Sequence, residues 1–374
     1  ARADTRADIC ARTRAAICAA ICARTRADIC ARTCIQPRAM IAALDERLIL
    51  ACRRHPLAAE VARGLTRSGV PEGARVMVAA SGGADSTALM ALCAGLAAHG
   101  RIELVVGTVD HGIRSESALD CQCVAMVGAR LGVRVLARRL DLNAGSGLAD
   151  RARTARYEAL ASMALECGAT CILAAHHADD QMETMLIALA RGAGLGGMGG
   201  MPGRRPIPCE TPGAQHLLLV RPCLRMSRES LRAACVDLAV QWREDPTNDR
   251  RDTPRGIVRH VVIPALESVA TGATRRAART GELARLGNVL LESHVSAMRG
   301  PDGSIARSAF RNAPEALAAT AVWMLADDRM DDATRWAAAE AIVDDSTEPR
   351  RFPMSGGNEL SVCAHLVRVR SVTV

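Results

Sequence analysis

The sequence predicts a doubly wound α/β fold, and three observations predict it. Short, continuously apolar runs recur from residue 75 onward, each followed by a longer stretch with helical spacing. Continuous apolar runs mark strands buried on both faces, and intervening helices are what cover a parallel sheet. Polar clusters follow the apolar runs directly, and open α/β sheets bind ligands there, outside the carboxyl ends of their strands.

The elements read in order as follows. Residues 41–69 form a helix with an apolar stripe of Ile41, Leu44, Leu48 and Ile49. "RVMVAA" (75–80) is a strand followed by a helix over 86–98. "IELVVGTV" (102–109) precedes a helix over 116–131, and "VRVLARRL" (133–140) one over 148–166. "ATCILAA" (169–175) precedes a helix over 179–190, and "HLLLVRP" (216–222) follows a glycine-rich loop with six glycines from 192 to 200. The character then changes. Residues 275–298 are helical without an intervening strand, 313–344 read as more helix, and "ELSVCAHLVRVRSV" (359–372) alternates like a short strand or hairpin. A domain boundary is placed near 265–272, after Pro264.

Composition narrows the class. The chain has 374 residues and a formal charge of +8, but residues 1–39 carry eight Arg and three Asp, so most of that charge sits there. "TRADICART" occurs at 5–13 and again at 25–33, and we expect 1–39 to be translated repeat upstream of a natural start at Met40, outside the fold. There is no lysine, so basic contacts fall to arginine and histidine. Of fifteen cysteines, five lie in 1–39 and the rest form no CxxC pair, which favours free buried thiols over zinc or disulfides. No apolar run approaches a membrane span, so a soluble, cytoplasmic protein without a membrane partner is expected.

The chemistry-bearing residues follow the strands. Ser81-Gly82-Gly83-Ala84-Asp85-Ser86 comes after the first, Asp110-His111-Gly112 after the second, and His176-His177-Ala178-Asp179-Asp180 after the fourth. Glycines between a strand and a helix let backbone N–H groups approach an anion, and the helix start adds partial positive charge. The loop lacks the spacing and the lysine of a Walker A loop. A carboxylate inside a phosphate loop calls for a divalent cation, so Asp85 reads as a Mg²⁺ ligand. The alternative is a capped helix start with Asp85 or Ser86 serving the backbone. A helix beginning near Asp179 puts Asp180 and Glu183 on one face, as an acidic site or as first-turn carboxylates favoured by the dipole. Arg151, Arg153 and Arg156 lie beside Tyr157, the one tyrosine, either as phosphate ligands or as a solvated basic face.

Together these pieces resemble the PP-loop ATP pyrophosphatases, whose loop reads SGGxDS, and within them the tRNA(Ile)-lysidine synthetases. The further blocks that carry the resemblance are "VDHGIRSES" (109–117), "ARTARYEAL" (152–160), "AAHHADDQMET" (174–184), "RGAGLGGMGGM" (191–201), "RPCLRMSRESL" (221–231), "WREDPTND" (242–249) and "RGIVRHVVIPAL" (255–266). The likeness runs from about 75 to 266, and one position departs from it: Gly256 stands where the family usually has Asn. The resemblance implies an adenine nucleotide alpha hydrolase-like fold over 40–268 and a helical, tRNA-binding region over 269–374, with a homodimer left open. It implies that ATP adenylates the C2 oxygen of the wobble cytidine of a CAU-anticodon tRNA(Ile), releasing pyrophosphate, and that free lysine displaces AMP. Ser81, Gly82, Gly83, Ala84, Asp85 and Ser86, with Asp110, His111 and His176, would bind ATP, with Mg²⁺ on Asp85. Asp85, Arg153, Arg156, His177, Asp180 and Glu183 would act in catalysis, and Arg204, Arg205, Trp242, Arg255 and Arg259 would contact tRNA. Residues 192–203 would form an open, mobile lip for the cytidine. Trp242 is either a stacking partner or a packing residue.

The rival readings are a tRNA cytidine thiolase, which wants cysteine pairs, a small-molecule amide ligase of the same superfamily, and a non-catalytic nucleotide-binding RNA module.

Overall fold

The computed structural model describes residues 44–112, 116–141, 145, 147–244, 251–326 and 329–371. The repeat at 1–39, Ile41, residues 113–115 and residues 245–250 of the "WREDPTND" block lie outside these described residues. The chain divides into two compact units that interleave in sequence. One is the chain to Ala175 with Arg204–Val220 and Leu231–Glu244; the other is His176–Gly203, Arg221–Ser230 and the chain from Asp245.

The first unit opens on two helices where the periodicity predicts one. α1 (Glu46–Arg54) is capped by Asp45, whose carboxylate accepts from Leu48 N at 3.0 Å. The helix stops before Pro56, which has no N–H to continue it and instead starts α2 (Pro56–Arg67) at the position proline tolerates. β1 (Ala74–Ala79), α3 (Ala84–Ala97), β2 (Ile102–Asp110), α4 (Ser117–Leu131), β3 (Arg134–Arg139), α5 (Leu148–Cys167) and β4 (Cys171–Leu173) then alternate as expected.

The sheet order is β3-β2-β1-β4-β6-β5, with β6 at Leu218–Val220. All pairings are parallel but one. The doubly wound parallel sheet is as expected, with the addition that β5 (Arg204–Pro206) runs antiparallel to β6 at the edge. Three residues ending in proline are too short to register as an apolar run. Order reverses at β1, which lies between β2 and β4, and this switch point is where the SGGADS loop leaves the sheet. One face packs Met77, Val105 and Ile172 against Tyr157, Leu160 and Met163 of α5. α3 is buried nearly all round, from Ser86 to Leu96.

In the second unit lie α6 (Ala178–Ala190), the single turn α7 (Leu195–Met198), and a helix built from α9 (Pro254–Ile257), a π-turn at Val258–Val262 and α10 (Ile263–Val269); α8 (Arg228–Asp237), which precedes α9 in sequence, belongs to the first unit from Leu231 onward. α11 (Ala273–Met298) follows. The predicted helix at 313–344 is two, α12 (Glu315–Ala326) and α13 (Asp332–Val343), the second capped by Asp331. The expected terminal hairpin is present as β9 (Asn358–Val362) and β10 (Leu366–Ser371), enlarged by β8 (Arg350–Met354) and β7 (Ile305–Ala306) to the order β7-β10-β9-β8. Phe310, Leu317, Val322, Ile342, Leu360 and Val367 form its core. Arg307 is buried there because its guanidinium donates to the Ile342 and Ala341 carbonyls at the end of α13, at 3.0 and 2.9 Å. Among the described residues no helix is long and apolar enough to cross a membrane.

Gly95 tests the packing of α3. A Cβ at this position would lie 2.6 Å from the Cys52 backbone carbonyl carbon on α1. Gly95→Ala is expected to destabilise the first unit by about 1–3 kcal/mol, the usual loss from overpacking. The measurement is a lower urea midpoint at unchanged slope.

Candidate active site

The SGGADS loop is shaped by its glycines and hydroxyls. Gly82 has φ +86°, and a Cβ there would meet the Asp120 carbonyl oxygen at 3.0 Å, so only glycine fits without strain. The Ser86 hydroxyl accepts from Ser81 N at 3.1 Å and donates to the Gly83 carbonyl at 3.1 Å, closing the loop on itself. Gly83 occupies the N-cap of α3, and no side chain caps the helix. Ser86 thus serves the backbone of the turn, as the alternative reading of the loop has it, without capping the α3 amides. Asp85 sits half-buried in the first turn of α3.

A brace holds the loop from outside. Arg243 N donates to the Gly82 carbonyl at 2.9 Å, and its guanidinium meets Asp120 at 2.7 Å. Neither Arg243 nor Asp120 was singled out from the sequence, although Arg243 lies in the "WREDPTND" block. Beside it, Trp242 is half-buried, donates to Glu244 at 2.8 Å and lines a cavity of about 620 Å³ with Leu119, Met126 and Val236. It is one wall of an open groove.

At the end of β2, Asp110 organises the following turn by accepting from Gly112 N at 2.9 Å and from the Ser117 hydroxyl at 2.5 Å. Burial alone would raise its carboxyl. The Ser117 and Gly112 hydrogen bonds, with the nearby Arg139 and His111 charges, outweigh that and hold it below its ordinary value. His111 is half-buried. Arg153 and Arg156 are exposed on α5, each with its guanidinium over the buried Tyr157 ring, at 5.5 and 5.6 Å. Arg204 and Arg205 lie in edge strand β5, where Arg204 donates to the Ser68 carbonyl at 3.2 Å.

In the second unit the acidic motif forms the start of α6. His177 caps the helix by accepting from Asp180 N, and the Asp180 carboxylate returns a bond from His177 N at 3.0 Å. His176 Nδ1 accepts from buried Arg221 at 3.3 Å. Asp179 accepts from Arg228 N at 2.9 Å. Burial pushes the Asp179 carboxyl up, but the His177 and Arg228 hydrogen bonds and the His177 charge bring it below its ordinary value.

Glu183 is the most enclosed of these carboxylates, its side chain 1 % exposed, and it meets two arginines expected to touch RNA. Arg259 binds it with two nitrogens, at 2.6 and 3.1 Å, and Arg255 approaches at 3.0 Å. Arg259 also stands 4.0 Å from Asp180. The Arg255–Arg259 spacing, one turn apart across the start of the π-turn, brings both guanidinia to one carboxylate. Gly256, between them, donates its N–H to the Thr253 hydroxyl at 3.0 Å.

The glycine-rich segment is not the open lip expected of it. Gly194 packs on Trp323, Gly199 on Arg285 and Gly200 on Gln181, each so close that a Cβ would fall within 2.6–2.8 Å. Gln181 fixes its end through both Met201 N and Met201 O. Here glycine serves close helix packing and not mobility.

Two outcomes follow. Buried pairs lose about 3–5 kcal/mol when one partner is removed and exposed ones about 0–1. Arg259→Met leaves Glu183 with Arg255 alone, so a loss of about 2 kcal/mol is expected in urea unfolding. The depressed carboxyls of Asp110 and Asp179 stabilise the fold above their unfolded values and lose that contribution as pH falls through the folded ones. Stability should therefore drop on acidification below about pH 4, and Asp179→Asn should flatten that limb.

The PP-loop domain family matches residues 57–266. The tRNA(Ile)-lysidine synthase of Novosphingobium aromaticivorans is 39% identical over 208 residues, covering 56% of this chain and 62% of that protein. That of Salinispora arenicola is 39% identical over 267 residues, covering 68% and 77%. That of Ruegeria pomeroyi is 42% identical over 176 residues, covering 47% and 40%. This chain thus spans less than two thirds of some relatives and more of others. Among solved structures, the U34-tRNA thiolase NcsA from Methanococcus maripaludis superposes with TM-score 0.51 at 16% identity, over 65% of this chain and 80% of that one, a likeness of fold alone. The match over the whole SGGADS-bearing sheet, with identity sustained across most of the Salinispora relative, means that the chain belongs to the tRNA(Ile)-lysidine synthase family of PP-loop proteins.

Proposed function

We propose that this chain ligates free lysine to C2 of the wobble cytidine of a CAU-anticodon tRNA(Ile), at the expense of ATP. The observation that carries the reading is the loop: a helix start with no side-chain cap, reached through a glycine at positive φ, is a seat for phosphate oxygens. In the first step the cytidine O2 attacks the α-phosphorus of ATP, the bond to the β-phosphate oxygen breaks, and pyrophosphate leaves. In the second the lysine amine attacks C2, the C2–O bond to the adenylyl group breaks, AMP leaves and the nitrogen loses a proton.

The loop residues Ser81, Gly82, Gly83, Ala84, Asp85 and Ser86 hold the triphosphate, and Asp110 and His111 shape the neighbouring turn. Among the described residues no group of three or more His, Cys, Asp or Glu is arranged to hold a metal. Asp85, half-buried in the first turn beside the loop, would hold a magnesium ion through its carboxylate, a hard oxygen donor suited to that ion. Such an ion would offset the charge on the phosphates. Arg153 and Arg156, exposed and held over Tyr157, are placed to neutralise phosphate oxygens.

Asp180 and Glu183 suit the ammonium of lysine. Glu183, fixed by Arg255 and Arg259, binds the ammonium. Asp180, whose carboxylate accepts from the His177 backbone N–H, takes the proton. His176 and His177 orient this helix start. Arg204, Arg205 and Trp242 are offered to tRNA, while Arg255 and Arg259 act on it through Glu183. The thiolase alternative fares poorly on the cysteines. All ten described are free, and burial pushes the Cys52 and Cys235 thiols up to about 12, far from thiolate.

The test follows radiolabelled lysine into a CAU-anticodon tRNA(Ile) transcript, with pyrophosphate release in parallel. Label requiring both ATP and that transcript supports the proposal, and Asp85→Asn should reduce it about 100-fold or more. Pyrophosphate without label would move the nucleophile elsewhere and overturn the lysine step.

A further inference from the structure

The SGGADS loop sets two glycines in succession, so the peptide between them has no side chain on either flank to fix its plane. Gly82 has φ +86°, and Gly83 is extended at φ −76°, ψ 162°. This peptide is held from outside the loop, by Arg243 N, which donates to the Gly82 carbonyl at 2.9 Å. It is trans, so the Gly83 N–H points opposite to that carbonyl and away from Arg243. That N–H directly precedes those of Ala84, Asp85 and Ser86 at the uncapped start of α3. Turning the peptide over would put a carbonyl oxygen in its place, and a carbonyl oxygen repels phosphate.

Arg243 is in turn fixed by its side chain. Its Nε donates to the Asp120 carboxylate at 2.7 Å, and a second guanidinium nitrogen stands 4.0 Å from Glu116. Both acids belong to the start of α4, Glu116 at the N-cap and Asp120 in the first turn. The Asp120 backbone also lies against Gly82, where a Cβ would meet its carbonyl oxygen at 3.0 Å. The paired side chains are 35% and 17% exposed. An ion pair open to water to this degree adds little to stability. Its place against the loop, and not its strength, is what calls for a reason.

We propose that Arg243, anchored by Asp120, is a positioning residue for ATP. It fixes the Gly82–Gly83 peptide with the Gly83 N–H turned to the phosphates. The guanidinium faces α4, so Arg243 acts on the nucleotide through this peptide and not by contact. The inference rests on the reading of the loop as the seat of the triphosphate given above.

The experiment uses the full chain and its Arg243→Met, Arg243→Lys, Asp120→Asn and Arg75→Met variants. ATP binding with magnesium is read by equilibrium dialysis, phosphate binding by displacement with inorganic tripolyphosphate, and folding by thermal midpoint. Lysine incorporation into the tRNA transcript is followed in parallel. Arg243→Met should weaken ATP and tripolyphosphate alike by about tenfold, the usual worth of one hydrogen bond to a charged group. Asp120→Asn, which keeps the side-chain shape, should do the same, and the double variant should lose no more than either. Arg243→Lys keeps a cation beside Asp120 and should stay within about threefold. Arg75 is the control, paired with Glu103 at 2.7 Å at the end of β1 far from the loop. Arg75→Met should leave ATP binding unaltered. Wild-type affinity in folded Arg243→Met or Asp120→Asn protein would overturn the assignment. So would an equal loss in Arg75→Met, or a wild-type chain that binds no ATP. Full lysine incorporation with unaltered ATP affinity in these variants would overturn it and leave the proposed function standing. Arg243-dependent ATP binding by a chain that incorporates no lysine would do the reverse.

Discussion

The amide groups at the start of α3 need a partner, and no side chain of the loop supplies a cap. Much of the first unit makes sense as the support of that one exposed helix end. α3 is buried nearly all round, so its axis is fixed by the sheet beneath it and by α1, which it meets closely enough to demand Gly95. Gly82 turns the chain with positive φ where a Cβ would press on Asp120. Arg243 ties the same glycine's carbonyl and the same aspartate together. A helix end held this rigidly in an uncapped state is preorganised for an anion.

The acidic motif obeys a different constraint. Four ionisable groups, Asp180, Glu183, Arg255 and Arg259, stand within ion-pairing reach, and the most buried of them carries the negative charge. A carboxylate so enclosed is costly to bury without a partner, and the two guanidinia supply one. The price is that Arg255 and Arg259 are spent on protein and not offered outright to RNA. His177 and Asp180 are likewise first the cap of α6 and only then candidates for chemistry. In this motif structural duty and functional duty fall on the same atoms.

The order and type of the sheet elements were legible because buried parallel strands and their helices write different periods into the sequence. β1, β2 and β3 fall within a residue or two of the apolar runs that announced them. What stayed hidden has physical reasons. β5 is three residues with one proline, and its pairing partner β6 lies more than ten residues on. The break at Pro56 carried a signal that the longer apolar stripe masked. The glycines at 192–200 read as flexible because composition cannot distinguish a glycine that moves from one on which a tryptophan rests. Loop, acidic cluster and arginine cluster were all visible as motifs. That Glu183 would hold Arg255 and Arg259 was not, because some seventy residues separate the partners.

The account turns on the uncapped start of α3 receiving phosphate. The direct measurement is amide hydrogen exchange at Ala84, Asp85 and Ser86, with and without saturating ATP and magnesium. Slowed exchange confined to this turn and to the neighbouring loop is the result expected. ATP binding that leaves these amides exchanging as before would contradict the central claim, whatever the enzyme's activity.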